Sequence, residues 1–129
     1  MRSPHRVVRS AALALAAAAL LVGCGKSSES TVESFYWAIG KGQITEAKSY
    51  LSAQIVAMLG DPKLSAALSG ETERVRACGG IKSVDVKLQG EGEVRQGAVI
   101  VAYAGQCPPK SERVKVVKED GKWKLTAEK

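Results

Sequence analysis

The 129-residue chain contains no asparagine, one histidine (His5), one phenylalanine (Phe35) and three aspartates. His5 sits near the N-terminus, ahead of the apolar run 11–22, so residues 24–129 hold neither histidine nor asparagine. A Ser-His-Asp or Cys-His-Asn catalytic set cannot be assembled from that part of the chain. Histidine-ligated zinc is excluded there for the same reason. Any catalysis would rest on carboxylates, tyrosine or lysine. Long apolar runs are also missing. Ala11–Val22 is the longest, well short of the about 20 residues that a spanning helix needs, and its alanine-rich composition is only weakly apolar.

What the N-terminus does have is order. Arg2, Arg6 and Arg9 precede the apolar run, which closes on Leu21-Val22-Gly23-Cys24. A positive head, a short apolar stretch and small residues make a cleaved export signal. The stretch resembles a bacterial lipoprotein signal peptide, whose lipobox ends in a cysteine that is lipidated and becomes the new N-terminus. The resemblance implies a signal over residues 1–23, a diacylglyceryl thioether on Cys24 and a membrane partner reached through that lipid. Two or more acyl chains anchor stably where one does not. Gly25 follows the cysteine where aspartate would imply retention at the inner membrane. The expected location is therefore the cell envelope, at the outer membrane facing the periplasm.

Removing the signal changes the charge. The chain has 19 Lys+Arg against 13 Asp+Glu, and three arginines lie in the signal, which leaves 16 against 13, a formal +3. The pI of 9.4 describes the whole chain. Basic residues alternate with acidic ones instead of forming a stripe with stacking aromatics, so a nucleic-acid partner is not expected. Neither a metal nor a cofactor is expected from these residues, and oligomeric state is left open. Cys78 and Cys107 are the remaining thiols. In an oxidising compartment such a pair reads as a disulfide, and their separation is unlike the Cys-x-x-Cys of redox sites.

Gly25–Glu29 reads as a polar tether, and residues 30–129 as one small domain. Ser30 and Glu33 suggest a capping box, with Val32, Phe35 or Tyr36, and Ile39 at helical spacing until Gly40 and Gly42. Helical segments follow from about Thr45 to Leu51 and from Ser52 to Leu59. Asp61-Pro62 opens another helix that ends at Gly79-Gly80, with Gly70 suggesting a break. From Ile81 the period becomes two. Val84, Val86 and Leu88 alternate with Asp85 and Lys87. Gln89–Gly97 reads as a connection and Ala98–Ala104 as a central strand. Arg113–Glu119 and Lys122–Glu128 form a hairpin across Asp120-Gly121, with Val114 and Val116 facing Trp123 and Leu125. Helices followed by an antiparallel meander predict an α+β fold, N-terminal helices packed on a sheet of about four strands.

Two stretches carry a further resemblance. One is Thr31-Val32-Glu33-Ser34-Phe35-Tyr36-Trp37-Ala38-Ile39-Gly40-Lys41-Gly42 with Glu46-Ala47 and Tyr50-Leu51. The other is Val116-Val117-Lys118-Glu119-Asp120-Gly121-Lys122-Trp123-Lys124-Leu125. Together they resemble the small DUF4878-type lipoproteins, whose domains are NTF2-like or cystatin-like. The resemblance implies a curved sheet enclosing a conical pocket, and little chemistry. Phe35, Tyr36, Trp37, Tyr50 and Tyr103 are the aromatic candidates for that pocket. Lys115, Lys122 and Lys124 alternate away from the apolar hairpin residues and make a candidate basic face, with Lys110, Arg113 and Lys118 nearby. Gly90–Arg95 only imitates a phosphate loop, since no strand-to-helix turn follows.

These features favour a non-catalytic binding or accessory module for a small apolar ligand or an envelope protein. The alternatives are a small ketosteroid-isomerase-like enzyme using a carboxylate and a tyrosine in the cone, and a structural or inhibitory module acting through its sheet edge. Asp85, alternating with Val84 and Val86, points outward and does not serve the enzyme reading.

Overall fold

The computed structural model describes residues 25–128. Cys24 and the signal segment lie outside the described residues. Among the described residues four helices precede four strands: α1 Ser28–Gly40, α2 Ile44–Ser49, α3 Ala53–Leu59, α4 Asp61–Ala77, β1 Ile81–Gln89, β2 Val94–Tyr103, β3 Lys110–Glu119 and β4 Lys122–Thr126. The strands form one antiparallel sheet in the order β1-β2-β3-β4. This is the expected α+β architecture.

Helix α1 starts earlier than the Ser30–Glu33 box predicts. Ser27 is the cap, and its Oγ accepts from the Ser30 amide at 3.0 Å. The early start puts Ser28 and Thr31 inside, where the Thr31 hydroxyl donates to the Ser27 carbonyl at 3.0 Å. Ser28 and Glu29 are thus helix, not tether. Helix α4 opens at Asp61-Pro62 as expected and runs through Gly70 without a break. Gly70 lies on its exposed side with no neighbour within 4 Å, so its cost is propensity alone. Leu64, Leu68, Thr72 and Val75 form the buried stripe. The Thr72 hydroxyl donates to the Ile39 carbonyl at 2.7 Å and ties α4 to α1.

The sheet differs from expectation at one place. Strand β2 begins at Val94, so most of the expected connection Gln89–Gly97 is strand. Gly97 allows this, since a Cβ there would lie 1.9 Å from the Lys87 carbonyl oxygen. Alternation then sorts the faces. Val99, Val101, Val114, Val116, Trp123 and Leu125 are buried against Val32, Phe35 and Ile39 of α1. Each aliphatic side chain so buried contributes roughly 1.5–3 kcal/mol. The opposite face stays open, with Ile100 exposed among polar neighbours.

Cys78, just past α4, is disulfide-bonded to Cys107 in the β2–β3 connection, with the Cα atoms 5.3 Å apart. Gly79 and Gly105 let these segments touch: a Cβ on Gly79 would stand 2.6 Å from the Gly105 amide nitrogen. The bridge fixes the end of α4 to the sheet.

Candidate functional site

Two regions at opposite ends of β3 carry chemistry. Lys118 lies eight positions beyond Lys110 along this strand, a span of roughly 25 Å.

The first region is a polar network on the helix-covered side of the sheet. Lys110 and Glu112 share the alternation of the buried Val114 and Val116, so β3 aims two charges inward at its first residues. The Tyr36 hydroxyl, from α1, donates to Glu112 Oε1 at 2.5 Å. Lys110 Nζ lies 2.9 Å from Glu112 Oε2 and 3.7 Å from Glu71 Oε2. Arg74, one turn along α4, pairs with Glu71 and donates to the Tyr103 hydroxyl at 3.1 Å. Its guanidinium also sits 5.7 Å from the Tyr103 ring centroid. Two cations therefore balance two carboxylates.

The titration of these groups follows from the contacts. Burial first, and then the hydrogen bond to Glu112, push the Tyr36 hydroxyl well above the usual tyrosine value. The Arg74 hydrogen bond holds the Glu71 carboxyl below the ordinary carboxylate range, against a smaller opposing effect of burial. The Glu112 hydrogen bond raises Lys110. Each of these three groups is thereby held in its neutral-pH form: Tyr36 protonated, Glu71 ionised and Lys110 charged.

The second region is a groove of about 300 Å³ between the first turn of α1, the end of α2 and the edge strand β4. Gly25, Lys26, Thr31, Ser49, Tyr50, Lys122, Trp123 and Lys124 line it. Lys124 Nζ donates to the Ser49 carbonyl at 2.6 Å, bridging strand and helix. The Trp123 ring packs against two cations, with the Arg95 guanidinium 4.9 Å and Lys118 Nζ 5.4 Å from its centroid. Arg95 Nη1 donates to Ser28 Oγ at 3.3 Å, while its Nε is buried with no partner among the described residues. Burial and a hydrogen bond to Glu46 raise the Tyr50 hydroxyl.

The five aromatic candidates are not gathered in one pocket. Phe35 is core, its ring edge-on to Tyr36 at 5.3 Å. Tyr36 and Tyr103 join the polar network, Tyr50 lines the groove, and Trp37 is 36% exposed on α1. Lys122 and Lys124 line the groove, while Lys115 pairs in register with Thr126 and does not line it. Glu71, Arg74 and Glu112 were absent from the sequence reading as functional groups. For Glu112 and Lys110 a signal existed: both share the phase of Val114 and Val116. Lys26 and Arg95 also join the groove region, and neither shows a sequence signal for it.

No protein-family profile matches this chain, and no curated protein matches it. Solved structures do. A Campylobacter jejuni protein provisionally named an NTF2-like transpeptidase, with a crystal structure at 2.00 Å, superposes with a TM-score of 0.70. It is 16% identical, and the match covers 80% of this chain and 100% of that one. The fold of the described residues is therefore NTF2-like.

Proposed function

We propose that this chain is a lipid-anchored envelope protein whose NTF2-like domain is a non-catalytic binding module. One observation carries the reading. The inward-facing acid, base and phenol groups of the fold are tied to one another, while the groove beside Tyr50 and Trp123 is open. Both Glu112 oxygens are engaged, one by Tyr36 and one by Lys110. A carboxylate so held is a poor general base, because proton abstraction would need those contacts to break. An amphipathic groove with an aromatic wall and lysine ammonium groups suits a small apolar ligand with a polar or anionic end. The compartment rests on Cys24 and the signal-like segment before it. Among the described residues no helix is long and apolar enough to cross a membrane, so the anchor would be the lipid on Cys24.

The neighbour's name raises a second possibility, transpeptidation. Acyl transfer on a cysteine is not supported here, because Cys78 and Cys107 are bonded to each other and residues 24–129 contain no histidine. The Tyr36–Glu112 pair does favour one alternative, a carboxylate–tyrosine enzyme of the ketosteroid-isomerase kind. In such a site the phenol polarises a carbonyl and a free carboxylate takes the proton. Here the phenol is spent on the carboxylate itself.

Native mass spectrometry of residues 25–129, expressed in an oxidising compartment, tests the binding reading. The expected spectrum shows a small amphiphile retained at one per chain and lost in Tyr50→Ala. A clean unliganded mass contradicts it.

A further inference from the structure

We propose that the groove between α1, α2 and β4 is a docking site for the anionic phosphate headgroup of a phospholipid, seating the domain directly on the bilayer. The inference rests on the lipid-anchor reading for its orientation and on the groove's own charge for its ligand.

Three observations meet at this place. Gly25 lines the groove, and Cys24 is its neighbour in the sequence. A lipid on Cys24 would therefore bring the groove to headgroup level with almost no tether to spare, since Ser28 already belongs to α1. The second observation is charge. Lys26, Lys122 and Lys124 line the groove, and Lys118 and Arg95 flank Trp123. None of these five cations pairs with a carboxylate among the described residues. Lys41, Lys63, Lys82, Lys87 and Lys115 are unpaired there too, so what marks the groove is the gathering of its cations at one place. The cations outnumber the carboxylates beside them: the Tyr50 hydroxyl donates to Glu46 at 3.1 Å, Glu119 pairs in register with Lys122 and accepts from the Ala53 amide at 3.3 Å, and Glu29 accepts from the Ser28 hydroxyl at 2.8 Å. The third is shape. Tyr50 and Trp123 give the groove an apolar wall with polar tips, the chemistry that residues at a membrane interface present.

Arg95 adjoins the groove through Trp123 and donates to Ser28 Oγ at 3.3 Å, with its Nε buried and unpartnered among the described residues. Glu29, in the first turn of α1, accepts from the same Ser28 hydroxyl and already faces the positive end of the helix dipole.

The test uses residues 25–129, which contain every described element and the disulfide, with circular dichroism confirming the fold of each variant. Binding is read by sedimentation with vesicles of phosphatidylcholine alone or with phosphatidylglycerol. Lys26 and Lys122 are exposed and their side chains make no hydrogen bond or ion pair among the described residues, so Lys26→Gln/Lys122→Gln should fold normally. The matched control is Lys82→Gln/Lys87→Gln on β1, the far edge of the sheet, with the same charge change. The expected result is binding to the anionic vesicles only, weakened about 25-fold by the groove pair, at about fivefold per lysine, and left nearly unchanged by the control. Equal loss in both pairs overturns the site, as does equal binding to both vesicles. Saturable binding of inorganic phosphate without vesicle binding marks a soluble-anion site and overturns the headgroup assignment. The mass of Cys24 in the full protein keeps the two readings apart. Groove-dependent vesicle binding with an unmodified Cys24 removes only the anchor, and a lipidated Cys24 without groove dependence removes only the headgroup site.

Discussion

The Tyr36 hydroxyl and Glu112 Oε1, 76 residues apart in sequence, meet at 2.5 Å and join helix α1 to strand β3. The pair lies near the start of β3 on the helix-covered side of the sheet, and the second Glu112 oxygen is held by Lys110 at 2.9 Å.

Removing one partner tests this contact. Tyr36→Phe leaves the Glu112 carboxylate with Lys110 alone and should lower unfolding free energy by about 1–2 kcal/mol, the scale of a hydrogen bond to a charged group at a partly exposed site. Urea denaturation reads the change. Ligand retention at the groove, at the other end of β3, should not move.

The same network sets the pH range of stability. Tyr36 and Lys110 titrate higher in the folded protein than when unfolded, so their stabilisation is complete below about pH 10 and is lost as pH rises above it. Glu71 titrates lower when folded, so its contribution is present above the usual carboxylate range and is lost as pH falls through it. Thermal melts should show a plateau from about pH 5 to pH 9, with a fall on both sides. Glu71→Gln should flatten the acid side, and Tyr36→Phe the alkaline side.

The Cys78–Cys107 bridge closes a loop with a sequence separation of 29. On the chain-entropy account this stabilises the fold by about 3.5 kcal/mol. Reduction, or Cys78→Ser with Cys107→Ser, should lower unfolding free energy by about 2–4 kcal/mol in urea. That is a large part of the about 5–15 kcal/mol typical of a small domain.

Local patterns carried most of this fold. The Asp61-Pro62 start of α4, the Asp120-Gly121 hairpin and the valine alternation in β3 are short-range signals, and each lies where the sequence pattern puts it. The misplaced elements have tertiary causes. Glycines and charges over 89–97 read as a loop, but Arg95 stacks on Trp123 and Gly97 admits the Lys87 carbonyl, so this segment pairs as strand. Ser30 with Glu33 read as the start of α1, but the helix is capped by Ser27, three residues earlier, and the early start buries Ser28 and Thr31. The polar network was less legible than the fold, because its partners come from α1, α4, β2 and β3. Only the inward phase of Lys110 and Glu112 announced it. The groove was half legible: Lys122 and Lys124 stood out by alternation, while Lys26 joins them only through the packing of α1 on β4.

We propose that the domain works at a membrane surface through Cys24, and the mass of its N-terminal peptide is the first measurement to make. The full chain would be expressed in a Gram-negative host and collected from both the membrane and the soluble fractions. The expected chain begins at Cys24 and carries a diacylglyceryl group. A chain that keeps residues 1–23, or a soluble one whose Cys24 bears no lipid, would contradict the proposal.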